Sequence, residues 1–149
     1  MARFRFSLEG VLRQRALVER EKQRVVADRQ AIVAKLTTEL RALDRQMQSA
    51  TAEVRDHRLV GRLDLSYLAA HRRYALAMQR RAVELARRIA SAQVAVEQAQ
   101  GELVEAARRR KAIEKLREKR LAQWQAEHQR KESSELDEIG MRIAYEAHD

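Results

Sequence analysis

The sequence predicts an all-α protein built as a long antiparallel two-helix coiled-coil hairpin. Three observations predict this fold class. The 149 residues include no proline and only four glycines, so few positions interrupt a helix. Apolar residues recur at alternating steps of three and four along two long stretches, which is the pattern of a coiled-coil seam. A single break around Gly61 separates the two stretches and indicates a short connection between two helices.

Helix one is predicted from about residue 7 to about residue 58, with Ser7 as a suitable N-cap. Its second half carries an apolar seam at Val33, Leu36, Leu40, Leu43, Met47, Ala50 and Val54. In the first half, apolar doublets recur at Val11-Leu12, Leu17-Val18, Val25-Val26 and Ile32-Val33. The strict seam positions between them hold Arg15, Lys22 and Arg29. We therefore expect this half of the seam to be alternately apolar and charged.

A turn is predicted at about 59–65, and Asp64 or Ser66 can cap the helix that follows it. Helix two is predicted from about 66 to 131 or longer. One set of its seam positions is Leu68, Ala75, Ala82, Ile89, Val96 and Leu103, and the other is His71, Met78, Leu85, Ala92, Ala99, Ala106 and Ile113. The acidic C-terminal segment 132–149 is open to three interpretations: a short separate helix, a frayed end, or a segment that a partner orders.

Folding the chain about residue 61 predicts which residues of the two helices oppose each other, as expected for a hairpin. The predicted pairs are Val54–Leu68, Met47–Ala75, Leu40–Ala82, Val33–Ile89, Leu12–Arg110 and Phe6–Leu116. In this register helix two has no partner beyond about residue 117. The whole chain, 1–149, is expected to form a single hairpin without a second globular domain.

Charge and composition limit the classes of protein to consider. The net charge of +9 favours acidic partners or surfaces. No cysteine is present, which excludes disulfides, thiol nucleophiles and cysteine-based zinc fingers. No apolar run approaches the roughly 18 residues of a membrane span. Arg3, Arg5 and Glu9 occupy the place of a signal peptide's apolar stretch, so we expect a soluble protein that is not secreted by the general route.

The sequence contains no catalytic or cofactor-binding motif that we can identify, and a two-helix hairpin has no concave interior in which catalytic groups could converge. We therefore expect no enzymatic activity, no cofactor, no metal and no small-molecule substrate. The Glu53–His57 and His128–Glu132 pairs each share one helical face, and His71 is predicted near His57 at the turn. These pairs are more typical of solvated helix ends than of a zinc site, which needs three or four convergent ligands.

Arginines form a basic stripe on the predicted outer face of helix two. Its members are Arg73, Arg80, Arg81, Arg87, Arg88, Arg108 and Arg109. One interpretation is contact with the phosphates of a nucleic acid. The interpretation that the sequence favours is a solvated face with intrahelical pairs such as Glu84–Arg88 and Glu105–Arg109, because the stripe contains no aromatic residue for base stacking.

Aromatic residues concentrate at the end of the predicted hairpin that lies away from the turn. Phe4 and Phe6 precede helix one, and Trp124 lies where helix two is expected to have no partner. Exposed aromatic residues of this kind mark contact with another chain. The alternative is that Phe4 and Phe6 fold back onto Gly10-Val11 and Leu116 as a hydrophobic staple.

Both ends of the sequence resemble the flagellar export protein FliJ family. The similar segments are the opening FRFSLEGVLR at 4–13 with Glu19, the segment ARRRKAIEKL at 107–116, and Trp124, Glu127 and LDEI at 136–139. Length, heptads, central break and basic charge agree along essentially the whole chain. The resemblance implies a cytoplasmic component of the flagellar type III export machinery, peripherally associated with the inner face of the membrane at the flagellar base. Its hairpin would be similar to the stalk of the γ subunit in rotary ATP synthases.

The resemblance also implies partners: a hexameric export ATPase, whose assembly and activity the stalk promotes, the cytoplasmic domain of the export gate, and export chaperones. We expect the ATPase to contact Phe4, Phe6, Leu8, Leu12, Arg110, Leu116 and Trp124. We expect the gate to contact Met47, Tyr67, His71 and Tyr74. Two alternatives stay open: the equivalent stalk of a virulence type III secretion system, and, from a different class, a basic coiled coil that binds nucleic acid.

Overall fold

The computed structural model describes residues 3–56 and 64–148. These residues form two helices, α1 from Glu9–Asp56 and α2 from Leu65–Glu146, and no strand occurs among them. The two helices pack against each other, so the predicted all-α class is confirmed. Most of the predicted turn at 59–65, with Gly61, lies outside the described residues, as does His57.

Each helix begins in a way that the local sequence explains. Two backbone hydrogen bonds stabilise the N-terminus of α1. The amide of Glu9 donates to the carbonyl of Phe6 at 3.2 Å, and the amide of Leu12 donates to the carbonyl of Leu8 at 2.9 Å. At the start of α2 the Asp64 carboxylate accepts from the amides of Ser66 at 3.0 Å and Tyr67 at 3.2 Å. Asp64 is therefore the N-cap of α2, since it pairs the amides that have no partner within the first turn.

The described residues fall into two compact units. We call residues 21–103 the middle unit, and residues 1–20 together with 104–149 the terminal unit. In the middle unit, Leu36 and Leu43 of α1 and Leu85 of α2 form a buried core. Five half-buried side chains pack around this core: Leu40, Met78, Ala82, Ile89 and Ala92.

The heptad prediction holds along both helices. Every seam position from Leu68 to Ile113 of α2, and from Val33 to Val54 of α1, is buried or half-buried. Gly101 lies on the exposed side, and a Cβ at that position would meet nothing within 4 Å. The seam thus follows from the sequence period alone, because a heptad repeat keeps one stripe of a helix facing its partner.

The predicted register agrees with the core of the middle unit, because Leu40 and Ala82, a predicted pair, pack against the same buried cluster. In the terminal unit the contacts join residues further along the chain than the predicted pairs do. Arg110 pairs with Glu19, and the Phe6 ring lies beside Arg120. Helical side chains lean toward their own N-terminus. In an antiparallel pair the N-terminal direction of one helix is the C-terminal direction of the other. Each side chain therefore meets a partner that lies closer to the C-terminus of the other helix than the residue directly opposite.

A second cause of this shift is that the chain before α1 is not helical. Phe4 contacts Trp124 and Phe6 contacts Arg120, so two residues of the N-terminal segment cover four residues of α2. An extended chain advances about 3.3 Å per residue and a helix 1.5 Å. Two extended residues and four helical residues therefore both span about 6–7 Å. The segment before Glu9 therefore follows α2 well past residue 117, where the sequence predicted that α2 has no partner.

Helix α2 continues through the acidic segment as far as Glu146. Of the three interpretations of residues 132–149, the structure shows a direct continuation of α2 rather than a separate helix. From residue 129 to residue 148 every side chain is exposed.

Candidate functional site

Aromatic side chains of the terminal unit form one cluster against α2. The rings of Phe4 and Trp124 lie 6.0 Å apart between centroids at a tilt of 56°. One turn further along α2, the His128 ring stacks on Trp124 at 5.1 Å and 13°. These distances are those of favourable aromatic pairs. We call Phe4, Phe6, Trp124 and His128 the aromatic cluster.

Phe6 is the buried member of the aromatic cluster, with only 9% of its surface exposed. The guanidinium carbon of Arg120 lies 5.9 Å from the Phe6 ring centroid, within the range of a cation–π contact. Nη1 of Arg120 also donates to Oγ of Ser7 at 2.9 Å. Arg120 thus holds the N-terminal segment through both a ring and a hydroxyl.

The expectation that the aromatic residues at this end lack cover within the chain is therefore wrong for Phe6. Phe4 and Trp124 are half-buried and leave part of their rings at the surface. The alternative expectation, a fold-back within the chain, agrees with the burial of Phe6, and its contacts with Gly10-Val11 and Leu116 stay a prediction.

Ion pairs join the two helices of the terminal unit. Arg110 donates to the carboxylates of Glu19 on α1 and Glu114 on α2, and the Arg110 and Glu19 side chains are 23% and 14% exposed. The hydrogen bonds to Glu19 and then Glu114 raise the pKa of Arg110. Arg117 pairs with Glu9 at 3.2 Å. Arg110, expected to contact the ATPase, therefore has two carboxylate partners inside its own chain.

The remaining residues expected at the ATPase are partly covered, and one more exposed pair was not predicted. Leu8, Leu12 and Leu116 are half-buried along the helix contact. Leu17 and Val18 of the same unit are 63% and 39% exposed. The sequence signal for this pair was the apolar doublet, because the narrow contact face of a two-helix pair can leave a whole doublet outside it.

The residues expected at the gate lie in the middle unit close to the start of α2. Tyr67, His71 and Tyr74 are spaced so that they share one face of α2, and they line an open groove together with Gln46, Ser49, Ala50, Glu53 and Ala70. Met47 is half-buried on α1. The structure thus brings three of the four predicted residues to one surface, with the aromatic edges of the two tyrosines exposed.

Histidine and carboxylate side chains form a pair but no larger metal-binding group in the described part of the chain. Nε2 of His128 lies 3.3 Å from Oε1 of Glu132, on the face that the sequence predicted. Among residues 3–56 and 64–148, no three such side chains converge as a metal site would require. The other predicted pair includes His57, which is outside the described residues.

Two further surfaces of α2 are exposed. In the middle unit, Arg80 and Arg87 line a shallow groove with Leu76, Val83, Gln79 and Glu84. In the terminal unit, one more predicted pair is present, since Nε of Arg109 donates to Oε1 of Glu105 at 3.3 Å.

Neither α1 nor α2, as far as they are described, includes a stretch apolar and long enough to span a membrane.

The chain matches a known protein family over nearly its whole length. Residues 4–148 match the family described as "Flagellar FliJ protein", which covers essentially the whole chain and includes both halves of the hairpin. No curated protein and no solved structure matches the chain significantly. On the family match, the chain belongs to the flagellar FliJ family and is a protein related to flagellar export.

Proposed function

We propose that this chain is a non-enzymatic binding component of the flagellar export apparatus that joins the hexameric export ATPase to the export gate. The observation that carries the proposal is the separation of partly exposed aromatic side chains into two groups in different compact units. Phe4 and Trp124 belong to the terminal unit, and Tyr67 and Tyr74 belong to the middle unit. Aromatic residues at a protein surface are the residues that dominate protein–protein binding.

The terminal unit supplies the contact with the ATPase. Phe4 and Trp124 present partly exposed rings, and Leu17 adds an exposed aliphatic side chain in the same unit. The half-buried Leu8, Leu12 and Leu116 also belong to the proposed ATPase contact, and in the same unit Arg110 pairs with Glu19 and Phe6 contacts Arg120. The binding of this unit inside the ring promotes assembly and ATP hydrolysis, because it stabilises the assembled ring over its separate subunits.

The middle unit supplies the contact with the gate's cytoplasmic domain. Tyr67, His71 and Tyr74 line the groove near the start of α2, and Met47, half-buried on α1, is the fourth residue of the proposed contact. A tyrosine offers a large apolar ring and a hydroxyl that can donate or accept, which suits a surface that binds a partner reversibly. Export chaperones are further partners of the same component.

Binding of the full chain to each purified partner tests the proposal. The variant Phe4→Ala/Trp124→Ala should bind the cognate export ATPase at least tenfold more weakly and bind the gate domain as the wild type does. The variant Tyr67→Ala/Tyr74→Ala should show the reverse. Val94→Ala is the matched control, since Val94 is also exposed and apolar, at 53%, and belongs to neither surface.

The result that would overturn the proposal is equally definite. If both double variants bind both partners with wild-type affinity, the aromatic surfaces are not the binding sites. If the wild-type chain instead binds duplex DNA with sub-micromolar affinity and a steep salt dependence, and binds neither protein, the nucleic-acid alternative replaces it.

A further inference from the structure

Two exposed faces of α2 take no part in the surfaces proposed above. The first, which we call the arginine face, is formed by Arg73, Arg80 and Arg87 with Leu76 and Val83 in the middle unit. The second, which we call the acidic tail, is residues 132–148 of the terminal unit. Both faces are helical and both present large apolar side chains to solvent. Large apolar side chains that are exposed together mark interaction surfaces.

The arginine face combines a heptad-spaced apolar pair with an excess of positive charge. Leu76 and Val83 are 46% and 48% exposed and lie seven residues apart, so their side chains are on one face of the helix. Arg80 and Arg87 line the same groove. Residues 72–88 hold six arginines and one acidic residue, Glu84. The partner of this face therefore needs an apolar stripe of the same period flanked by carboxylates.

The acidic tail has that composition and spacing. Leu136 and Ile143, 68% and 63% exposed, also lie seven residues apart, and Ile139 lies between them on the same helical face. Residues 132–148 hold five acidic side chains and one arginine, Arg142, in a chain that carries a net charge of +9. The tail is thus the acidic exception within a basic protein.

We propose that the acidic tail of one copy of this chain docks on the arginine face of a second copy. The apolar stripes of the two faces share one repeat length of about 10.5 Å, from seven residues at 1.5 Å each. Leu136 and Ile143 can therefore each meet one of Leu76 and Val83. The glutamates of the tail then lie alongside the arginines. Complementary charge gives such a pairing its specificity and its salt dependence.

The occupant is a second copy, because the tail and the arginine face complement each other in charge and in apolar spacing. Each copy carries one tail and one arginine face. Two copies can therefore associate through one such contact, and further copies can add through the faces that this contact leaves open. This inference does not depend on the proposed binding of the ATPase or the gate.

Sedimentation of the full chain over a concentration series tests the proposal. We expect reversible self-association at about 10–100 μM in low salt, because the contacts are small. The association should weaken by about tenfold or more when the salt is raised from about 0.05 M to 0.5 M, because exposed charges are screened.

Charge reversal gives the decisive variants. Arg73→Glu/Arg80→Glu/Arg87→Glu makes the arginine face acidic, and Glu135→Arg/Glu138→Arg/Glu146→Arg makes the tail basic. All six positions are exposed and helical, and circular dichroism checks that each variant stays folded. Each variant alone should be monomeric. Their equimolar mixture should associate again, because each reversed face then finds a complementary face on the other variant.

A charge-matched control separates this contact from a general effect of net charge. Arg24→Glu/Arg41→Glu/Arg45→Glu makes the same charge change at exposed positions of α1 and should associate as the wild type does. The proposal is overturned if the wild-type chain is monomeric throughout the series, or if the mixture of reversed variants stays monomeric. It is also overturned if the α1 control loses association as fully as the arginine-face variant.

Discussion

The carboxylate of Glu19 accepts a hydrogen bond from the guanidinium of Arg110, which lies 91 residues later in the chain. Both side chains are largely covered, and Glu114 also accepts from Arg110. This pair fixes α1 against α2 within the terminal unit. It does so at a point where the seam of α1 is otherwise a mixture of apolar and charged residues.

Glu19→Gln should lower the thermal stability of the chain more than Glu9→Gln does. Glu19 is the more covered partner, and its loss leaves the largely covered Arg110 with one carboxylate fewer. Glu9 pairs with Arg117 at the surface, where ion pairs contribute little. Thermal unfolding followed by circular dichroism measures both changes. Equal melting temperatures for the two variants would show that the Glu19–Arg110 pair does not hold the helices together.

Leu43→Ala should destabilise the chain by about 2–3 kcal/mol, toward the lower end of the range for leucine-to-alanine changes in cores. Leu43 is 4% exposed and belongs to the only described core cluster of the middle unit. Leu76→Ala is the control, because Leu76 is 46% exposed and its change should cost less than about 0.5 kcal/mol. Chemical denaturation measures the free energy of unfolding of both variants. Equal values for the two variants would show that the seam is not the core.

Asp64→Ala should destabilise the chain by about 1 kcal/mol, the usual effect of losing an N-cap. Asp64 accepts from the amides of Ser66 and Tyr67, and alanine has no acceptor to replace it. Asp64→Asn keeps an acceptor oxygen and should retain most of the stability. If the asparagine variant is as unstable as the alanine variant, Asp64 acts through its charge and not as a cap.

The Lys22–Glu102 pair, at 2.7 Å, should give the chain a pH-dependent stability. The hydrogen bond from Lys22 holds the pKa of Glu102 below its ordinary value of 4.5. The pair therefore contributes fully above that value, and the contribution is lost as the pH falls through the lowered pKa.

Thermal unfolding of the wild type and of Glu102→Gln checks this prediction. The variant should be slightly less stable at pH 7 and equal to the wild type at strongly acidic pH. High salt at pH 7 should also reduce the difference, since both side chains are partly exposed. A difference that grows as the pH falls would contradict the assignment.

Trp124 reports on the aromatic cluster, because it is the only tryptophan of the chain. Phe4→Ala should shift its fluorescence emission to longer wavelength and make it more accessible to a soluble quencher, since the ring of Phe4 covers one side of it. Val104→Ala, an exposed change in the same unit, should leave both signals unchanged. Unchanged emission in the Phe4 variant would mean that the two rings are not in contact in solution.

The sequence predicted the helix pair and its seam because one simple period determines them. Each heptad position from Leu68 to Ile113 is covered as expected. The register of the terminal unit was not predictable in the same way, because it depends on an extended segment and on side chains that lean along the helix. Phe6 is buried beside Arg120, although one of the two expectations from the sequence was that its ring is exposed to a partner chain.

The candidate surfaces were predictable only in part. Tyr67, His71 and Tyr74 share a face because their spacing is helical, so the sequence could group them. The Arg110–Glu19 pair could not be predicted, because a seam position gives no sign of which charged side chain will reach it. The exposure of Leu17 and Val18 depends on the narrow width of the helix contact, and an apolar doublet alone does not reveal it.

Stimulation of the cognate export ATPase by the purified chain is the measurement that bears on the proposed role of the terminal aromatic surface. We expect the wild type and Val94→Ala to raise the rate of ATP hydrolysis, and Phe4→Ala/Trp124→Ala, still folded by circular dichroism, not to raise it. Equal stimulation by all three proteins would contradict this expectation, because the terminal aromatic surface would then play no part in the contact with the ATPase.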